Sequence, residues 1–567
     1  MRQVCLTGYA VLVSLLFSVV FTAQILAFSG VYRPVLAVPL TVLVTLCAYV
    51  GYQRLGTAWV QTITPTEERS GWLPHLMLVV SASLAVLIFL QRMVLWPQSA
   101  LGRNIPVDFL GYHSIKVLQL VREGSVWDLG IPYGQYPFGY ESLIAFGMFF
   151  THDLRVIGLA HALIFVLFWW TIALLLVRYS HISISLSLLL ALMICFLPVI
   201  FPFVLSIGKN DVLLSLTVLM AVLHAPVGDE RFHPLGLAYA TMLSLAIKAT
   251  GLYTLFYLWG LVMFNWAMRY RSGTWRAYLP LWQFVLVLAL MFPGGLWIIR
   301  NYLILGTLFT SEIVSFFQTS IMANLDNPEL YNSAQSSTLL FASVILLVLM
   351  AISAGHRRLR WQMAGTLIVI WLTFTVTPLS AFLTINNLNY LDVQWRFVVH
   401  GIVMLWVVAL VVITPHLQAL YVYVDAQPLL RGGAGIVLIV ATLGILLMIG
   451  TDDLFAQDET RWQAILDPTL QTDSIYDQLR DYEPTTIYIE NVSWLAVALQ
   501  NPDLTITETR FPLGRADVAP QLTIEYIAFV PRVPFPDPIA SFFEPDAWQI
   551  IFENETGRIY QRVSLTE

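Results

Sequence analysis

Apolar runs of membrane-crossing length dominate this chain and fix what it can become. Crossing the hydrocarbon as a helix takes about 20 apolar residues. Runs that meet or approach this length lie near 7–29, 35–53, 73–93, 156–177, 182–205, 211–225, 234–247, 250–268, 279–298, 337–355, 361–383, 397–416 and 434–450, thirteen in all. A backbone in lipid must satisfy its own hydrogen bonds, so it spans as helices or as a closed barrel. A barrel needs short strands of alternating character, and these unbroken runs do not alternate. The expected fold class is a polytopic all-α membrane protein. Composition agrees: 58% of the residues are hydrophobic and only 11% charged, against roughly 25% charged in a soluble domain. A soluble globular enzyme, a coiled coil and a disordered chain are excluded. The first run follows Arg2, but it continues from Val11 to Phe28 and no clear small-residue cleavage site follows. It is expected to be a retained helix rather than a signal peptide.

After Gly450 the composition changes, and Asp, Glu and Pro return. TTIYIE, LTITE and TIEYIAFVP read as strands, and ENETGR between WQIIF and IYQRV reads as a hairpin. The stretches 459–482 and 493–500 read as helices. Residues 1–451 are thus expected to form the membrane part and 452–567 a small α/β domain. The three cysteines, Cys5, Cys47 and Cys195, all sit in apolar stretches and offer no disulfide framework or zinc spacing.

Arginine placement gives the orientation. With the N-terminus cytoplasmic, the clusters RYRSGTWR and HRRLR fall on cytoplasmic loops and the C-terminal domain falls outside the cell membrane. All three lysines, Lys116, Lys209 and Lys248, then fall on the outer side, together with Arg300 and Arg396. Snorkelling at helix ends is the plain reading of any one of them. Taken together, they suit an outer-face site for an anionic ligand.

Ionisable residues near membrane depth mark function by default. Asp108 opens the first long outer loop, 94–155, where Phe109, Ile115, Leu118 and Val121 recur at helical spacing. That spacing suits a helix lying on the membrane surface, with a second amphipathic stretch at ESLIAFGMFF. Asp108 reads as a helix cap, as a general base, or as a ligand to a divalent metal, and Tyr112 and His113 could line the same site. Lys209-Asn210-Asp211 follows a proline-broken helix, where Asp211 could be an N-cap. Lys248 lies between two spans beside Gly251, and a buried lysine there needs an anion such as phosphate. Arg300 and Asn301 end a further span, and Arg396 begins a later one. No P-loop, no strand-borne GxGxxG and no HExxH is present. The C-terminal domain is acidic, without a basic stripe, so nucleic acid is not an expected partner.

In their order, these features resemble the membrane glycosyltransferases of the C superfamily, which include the protein O-mannosyltransferases and the lipid A aminoarabinose transferases. Asp108 with Tyr112 is followed by YPFGYESLIA, a returning helix ending in Arg178, GKNDVLLSL, GLAYATMLSLAIKATGL and WIIRNYLILGTLF. The resemblance covers roughly residues 73–310 and departs where Phe109 follows Asp108, since an adjacent pair of acids is usual. It implies a polyprenyl-phosphate sugar as donor, with Asp108 and Asp211 as the catalytic acids. Lys209, Lys248 and Arg300 would contact the donor's phosphate, and Tyr112, His113, Glu141 and Arg396 are further candidates, read from the residues themselves, for binding substrate. The acceptor would be a lipid, a glycan or a protein, membrane lipids would be further partners, and a divalent metal at Asp108 stays open. The rival reading is a transporter or flippase of an anionic lipid-linked sugar. Paired broken helices in two related halves would favour it, and no such halves stand out.

Overall fold

The computed structural model describes residues 2–63, 72–90, 113–152, 156–252, 281–308 and 399–451. Near the C-terminus it describes 475–480, 486–490, 505–509, 525–529, 545–554 and 557–563, and short breaks fall at 62, 130, 132–133, 198–199, 201–203, 205–207 and 226–232. The helices are α1 (Arg2–Phe28), α2 (Pro34–Leu55), α3 (Thr57–Val60), α4 (Trp72–Leu90), α5 (Ser114–Glu123), α6 (Gly139–Thr151) and α7 (Val156–Ser180). They continue with α8 (Ile184–Cys195), α9 (Asp211–His224), α10 (Pro234–Ile247), α11 (Leu281–Met291), α12 (Leu296–Leu305), α13 (Val399–Ala426), α14 (Pro428–Thr451) and α15 (Ile475–Arg480). A 3-10 turn, Phe292–Gly295, joins α11 to α12.

Among the described residues, four helical stretches are long and apolar enough to cross a membrane: Gln3–Phe28, Pro34–Leu55, Val156–Ser180 and Trp282–Leu305. The chain is accordingly read as a membrane protein. The expected spans at 182–205, 211–225 and 234–247 correspond to shorter apolar helices, Ile184–Cys195, Asp211–His224 and Pro234–Ile247. Those at 250–268, 337–355 and 361–383 lie outside the described residues, apart from the first residues of 250–268.

One apolar core runs through α1, α7, α9 and α10, with Tyr9, Phe17, Phe168 and Leu219 fully or almost fully buried. Polar contacts cluster at the two ends of this bundle. At one end, Arg178 at the foot of α7 donates to Leu223 O and, at 2.8 Å, to Ala225 O. Trp59 Nε1 also donates to Leu223 O, at 3.1 Å. These carbonyls end α9, where the last turn has no partners of its own. His224 Nδ1 lies 2.5 Å from Met220 O, which can only accept, so this nitrogen carries the proton. Its Nε2 therefore accepts from the Tyr52 hydroxyl at 2.6 Å.

At the other end, the turn between α1 and α2 grips the loop helix α5. Arg33 donates to Arg122 O at 2.5 Å and to Glu123 O at 3.0 Å, and Tyr32 N donates to Gly124 O at 3.0 Å. Gly124 has φ +68°, and a Cβ there would sit 2.9 Å from Tyr32 O. Only glycine both turns left-handed and allows that approach.

The sequence places α5 on the membrane surface; the structure corrects this. Every residue from Ser114 to Leu120 is buried. The polar face that reads as solvated meets polar partners inside the protein, so both faces are covered.

The expected strands form a five-stranded sheet of β1 (Thr486–Glu490), β2 (Thr505–Thr509), β3 (Tyr526–Phe529), β4 (Trp548–Asn554) and β5 (Gly557–Arg562), in the order β2-β1-β3-β5-β4. β1 runs parallel to β2 and β3, whereas β5 runs antiparallel to β3 and β4. The hairpin closes with Asn554 opposite Gly557. Of the expected helix 459–482, residues 475–480 are described and helical, and 493–500 lies outside the described residues.

Candidate functional site

The charged residues gather at the end of the bundle held by Arg33 and Gly124. Helix α5 brings in His113 and Lys116, which are three positions apart and share a face. Helix α6 brings in Glu141. His113 Nδ1 donates to Glu141 Oε1 at 2.7 Å, and Lys116 Nζ stands 3.9 Å from the same oxygen. Lys116 also donates to Pro137 O at 3.3 Å and lies 5.9 Å from the centre of the Tyr136 ring. All three side chains are almost wholly buried. Burial lowers the Lys116 ammonium to about 8; Glu141 opposes that fall and Arg300 adds to it. Burial alone would raise the Glu141 carboxyl, but Lys116 and His113 outweigh it and hold the group below its ordinary range. Glu141 Oε2 has no hydrogen-bond partner among the described residues.

A second ion pair joins the facing ends of two helices. Asp211 is the first residue of α9, and Lys248 directly follows α10. Lys248 Nζ is 2.5 Å from Asp211 Oδ1, with side-chain exposures of 20% and 5%. Each charge lies at the helix end that favours it, an acid at an N-terminus and a base at a C-terminus. Asn210 Nδ2 donates to Ile247 O at 3.3 Å and Trp297 Nε1 donates to Leu245 O at 3.1 Å, so the exposed carbonyls of α10 are met from both sides. The turn after Lys248 needs Gly251, where a Cβ would fall 1.9 Å from Ser244 O. Lys209 is half-buried next to Asn210.

Arg300 lies close enough to Lys116 to act on its charge. Its guanidinium donates to Val126 O at 2.8 Å, Gly134 O at 2.6 Å and Asn301 Oδ1 at 3.2 Å. Asn301 Nδ2 donates to Gln135 O at 2.8 Å. The sequence assigns Arg300 to substrate; in the structure its two terminal nitrogens staple the loop 126–136, and its Nε is buried with no hydrogen-bond partner among the described residues.

Asp108, Tyr112 and Arg396 lie outside the described residues. His113, Glu141, Lys209, Asp211, Lys248 and Arg300 are described and meet at one end of the bundle. Lys116, which the sequence groups only with the other outer-face cations, pairs with Glu141; it sits one turn from His113 on a helix whose neighbours Val117 and Leu118 are apolar. No group of three or more metal-ligating His, Cys, Asp or Glu side chains occurs among the described residues.

No protein-family model and no curated protein matches the chain. Among solved structures, the crystal structure of ArnT from Cupriavidus metallidurans bound to undecaprenyl phosphate is similar in fold, with a TM-score of 0.50 at 14% identity. The match covers 86% of this chain and 98% of that one. The likeness is one of fold.

Proposed function

We propose that this protein is an integral-membrane glycosyltransferase. It would move a hexosyl or pentosyl group from a polyprenyl-phosphate donor to an acceptor on the outer face of the cell membrane. In this reading the N-terminus is cytoplasmic, and residues 452–567 form an extracytoplasmic unit.

The observation that carries the proposal is a cluster of buried and half-buried charged groups at one end of an apolar helical bundle. Lys116, Lys209, Lys248 and Arg300 gather there around the carboxylates of Glu141 and Asp211. Opposite charges in such a place suit a phosphate rather than a neutral sugar alone. ArnT, whose fold is similar, was crystallised with undecaprenyl phosphate.

The acceptor hydroxyl gives its proton to the Asp108 carboxylate as its oxygen bonds to the anomeric carbon. The bond from that carbon to the phosphate oxygen breaks, and polyprenyl phosphate leaves with the electron pair. Lys248 and Lys209, the more exposed cations, stabilise the charge growing on the leaving phosphate. Asp211, expected as a second catalytic acid, holds the Lys248 ammonium in place. Arg300 acts indirectly, by fixing the loop 126–136.

The test is sugar transfer by the purified full chain in lipid nanodiscs, given labelled polyprenyl-phosphate hexose and pentose donors. Asp108→Asn should lower the rate by about 10²–10⁴-fold, the usual contribution of a general base. A variant that keeps most of the transfer rate refutes the role of Asp108. A wild-type chain that neither binds polyprenyl phosphate nor transfers sugar refutes the function.

A further inference from the structure

Helix α5 has a second set of contacts that the transfer reaction does not use. Ile115 lies between His113 and Lys116 in sequence, yet it belongs to a different apolar cluster. That cluster contains Ile475 and Leu479 of α15, Ile487 of β1, Ala528 of β3 and Ile559 of β5. Ile131, from the loop stapled by Arg300, packs against the same cluster. Successive helical residues point about 100° apart, so Ile115 faces about 200° from His113 and about 100° from Lys116. One short helix therefore holds the Glu141 network on one side and the C-terminal sheet on another. In a packed interior a shift on one side is transmitted to the other, because there is little void to absorb it.

We propose that the C-terminal sheet is a positioning clamp for the site: seated on Ile115 and Ile131, it fixes the rotation of α5 that presents His113 and Lys116 to Glu141. Ile115 is thus a positioning residue, acting through its neighbours and touching no substrate. This inference rests on the proposed glycosyl transfer for its catalytic consequence, but its structural content stands independently.

The test uses the full chain in nanodiscs and two variants from opposite sides of the cluster, Ile115→Ala and Leu479→Ala. Lys116 is buried in the wild type, so its amine should resist an acylating reagent at pH 8. Each variant should expose it and raise its labelling rate by about tenfold, as expected for a locally loosened element. Peptide mapping separates Lys116 from Lys209 and Lys248. In the transfer assay kcat should fall by about ten- to a hundredfold, the usual consequence of a small misplacement, with the donor KM within about twofold of wild type. Ile115→Leu should restore both readings. Labelling at the wild-type rate in both variants overturns the clamp. Faster labelling with an unchanged kcat overturns its positioning role. If the wild-type chain transfers no sugar, the proposed function falls, and labelling alone still decides whether the sheet holds α5.

Discussion

Replacing Arg300 by Met separates a loop staple from a phosphate ligand. In the structure, two guanidinium nitrogens donate to Val126 O at 2.8 Å and Gly134 O at 2.6 Å, and the residue is 2% exposed. A hydrogen bond to a charged group contributes about 1.5–3 kcal/mol net, so two of them amount to about 3–6 kcal/mol. Some of that returns as the loop relaxes and its carbonyls find water, which leaves about 3 kcal/mol. At 1.4 kcal/mol per factor of ten, local opening of 126–136 should become roughly a hundredfold more frequent. Amide hydrogen exchange of the full chain in nanodiscs, read by mass spectrometry over that loop, measures it directly. Arg300→Lys should recover less than half of the protection, because an ammonium cannot span carbonyls placed for a planar fork. The reasoning is wrong if exchange over 126–136 stays at the wild-type rate while the donor KM alone rises. The guanidinium would then be acting on the phosphate.

Lys116 makes the chain's stability depend on pH. Its folded-state value of about 8 lies below the free-lysine value of about 10.4. Between those two values the unfolded chain binds more protons, so this group's contribution rises with pH across that window and is flat below it. The stability of wild type relative to Lys116→Met should grow by up to about 3 kcal/mol from pH 7.5 to 10.5, read by denaturant unfolding in micelles; a constant difference contradicts the burial argument. Lys248→Met should weaken polyprenyl-phosphate binding by about ten- to a hundredfold, the loss of one charge-assisted bond, and equal affinity in a binding titration removes Lys248 from the phosphate site. At the opposite end of the bundle, Arg178→Met strips α9 of a cap on Leu223 O and Ala225 O. It should cost about 3 kcal/mol of stability and leave the donor KM alone; a raised KM with normal stability would mean that Arg178, too, serves the substrate.

These contrasts show which parts of the molecule can be read along the chain. The apolar runs specify helices because hydrocarbon leaves the backbone no other open choice, and α1, α2 and α7 follow. The hairpin of β4 and β5 is equally legible, since polar turn residues interrupt two β-rich stretches. Helix α5 is not. Its periodicity marks one apolar face and hence suggests that the other meets solvent. What covers the polar face comes from the loop and helix that follow it, beyond the reach of helical periodicity: Pro137 and Glu141 meet Lys116, and the carbonyl of Asp128 accepts from Gln119. The partners of Arg300 are hidden for a related reason. A lone cation near a membrane boundary suggests an anion, but backbone carbonyls also accept from a guanidinium and leave no trace in the sequence.

The two ends of the bundle use their buried polar groups differently. Both ends bury histidines and an arginine, so polar burial alone does not distinguish them. At the far end, His224 donates through Nδ1 and accepts through Nε2, which is the neutral tautomer's full use of its ring. Arg178 is absorbed by two helix-terminal carbonyls. The hydrogen bonds described at that end complete the ends of helices and hold them together. At the near end, Arg300 and Asn301 do similar work on a loop, and Lys116 and Lys248 pair with Glu141 and Asp211 beside it. One of them, Lys248, stays partly exposed although it is paired to Asp211. Folding stability would be better served by apolar replacements for such pairs. Under the proposed glycosyl transfer, charge kept where it costs stability would serve the phosphate of the donor.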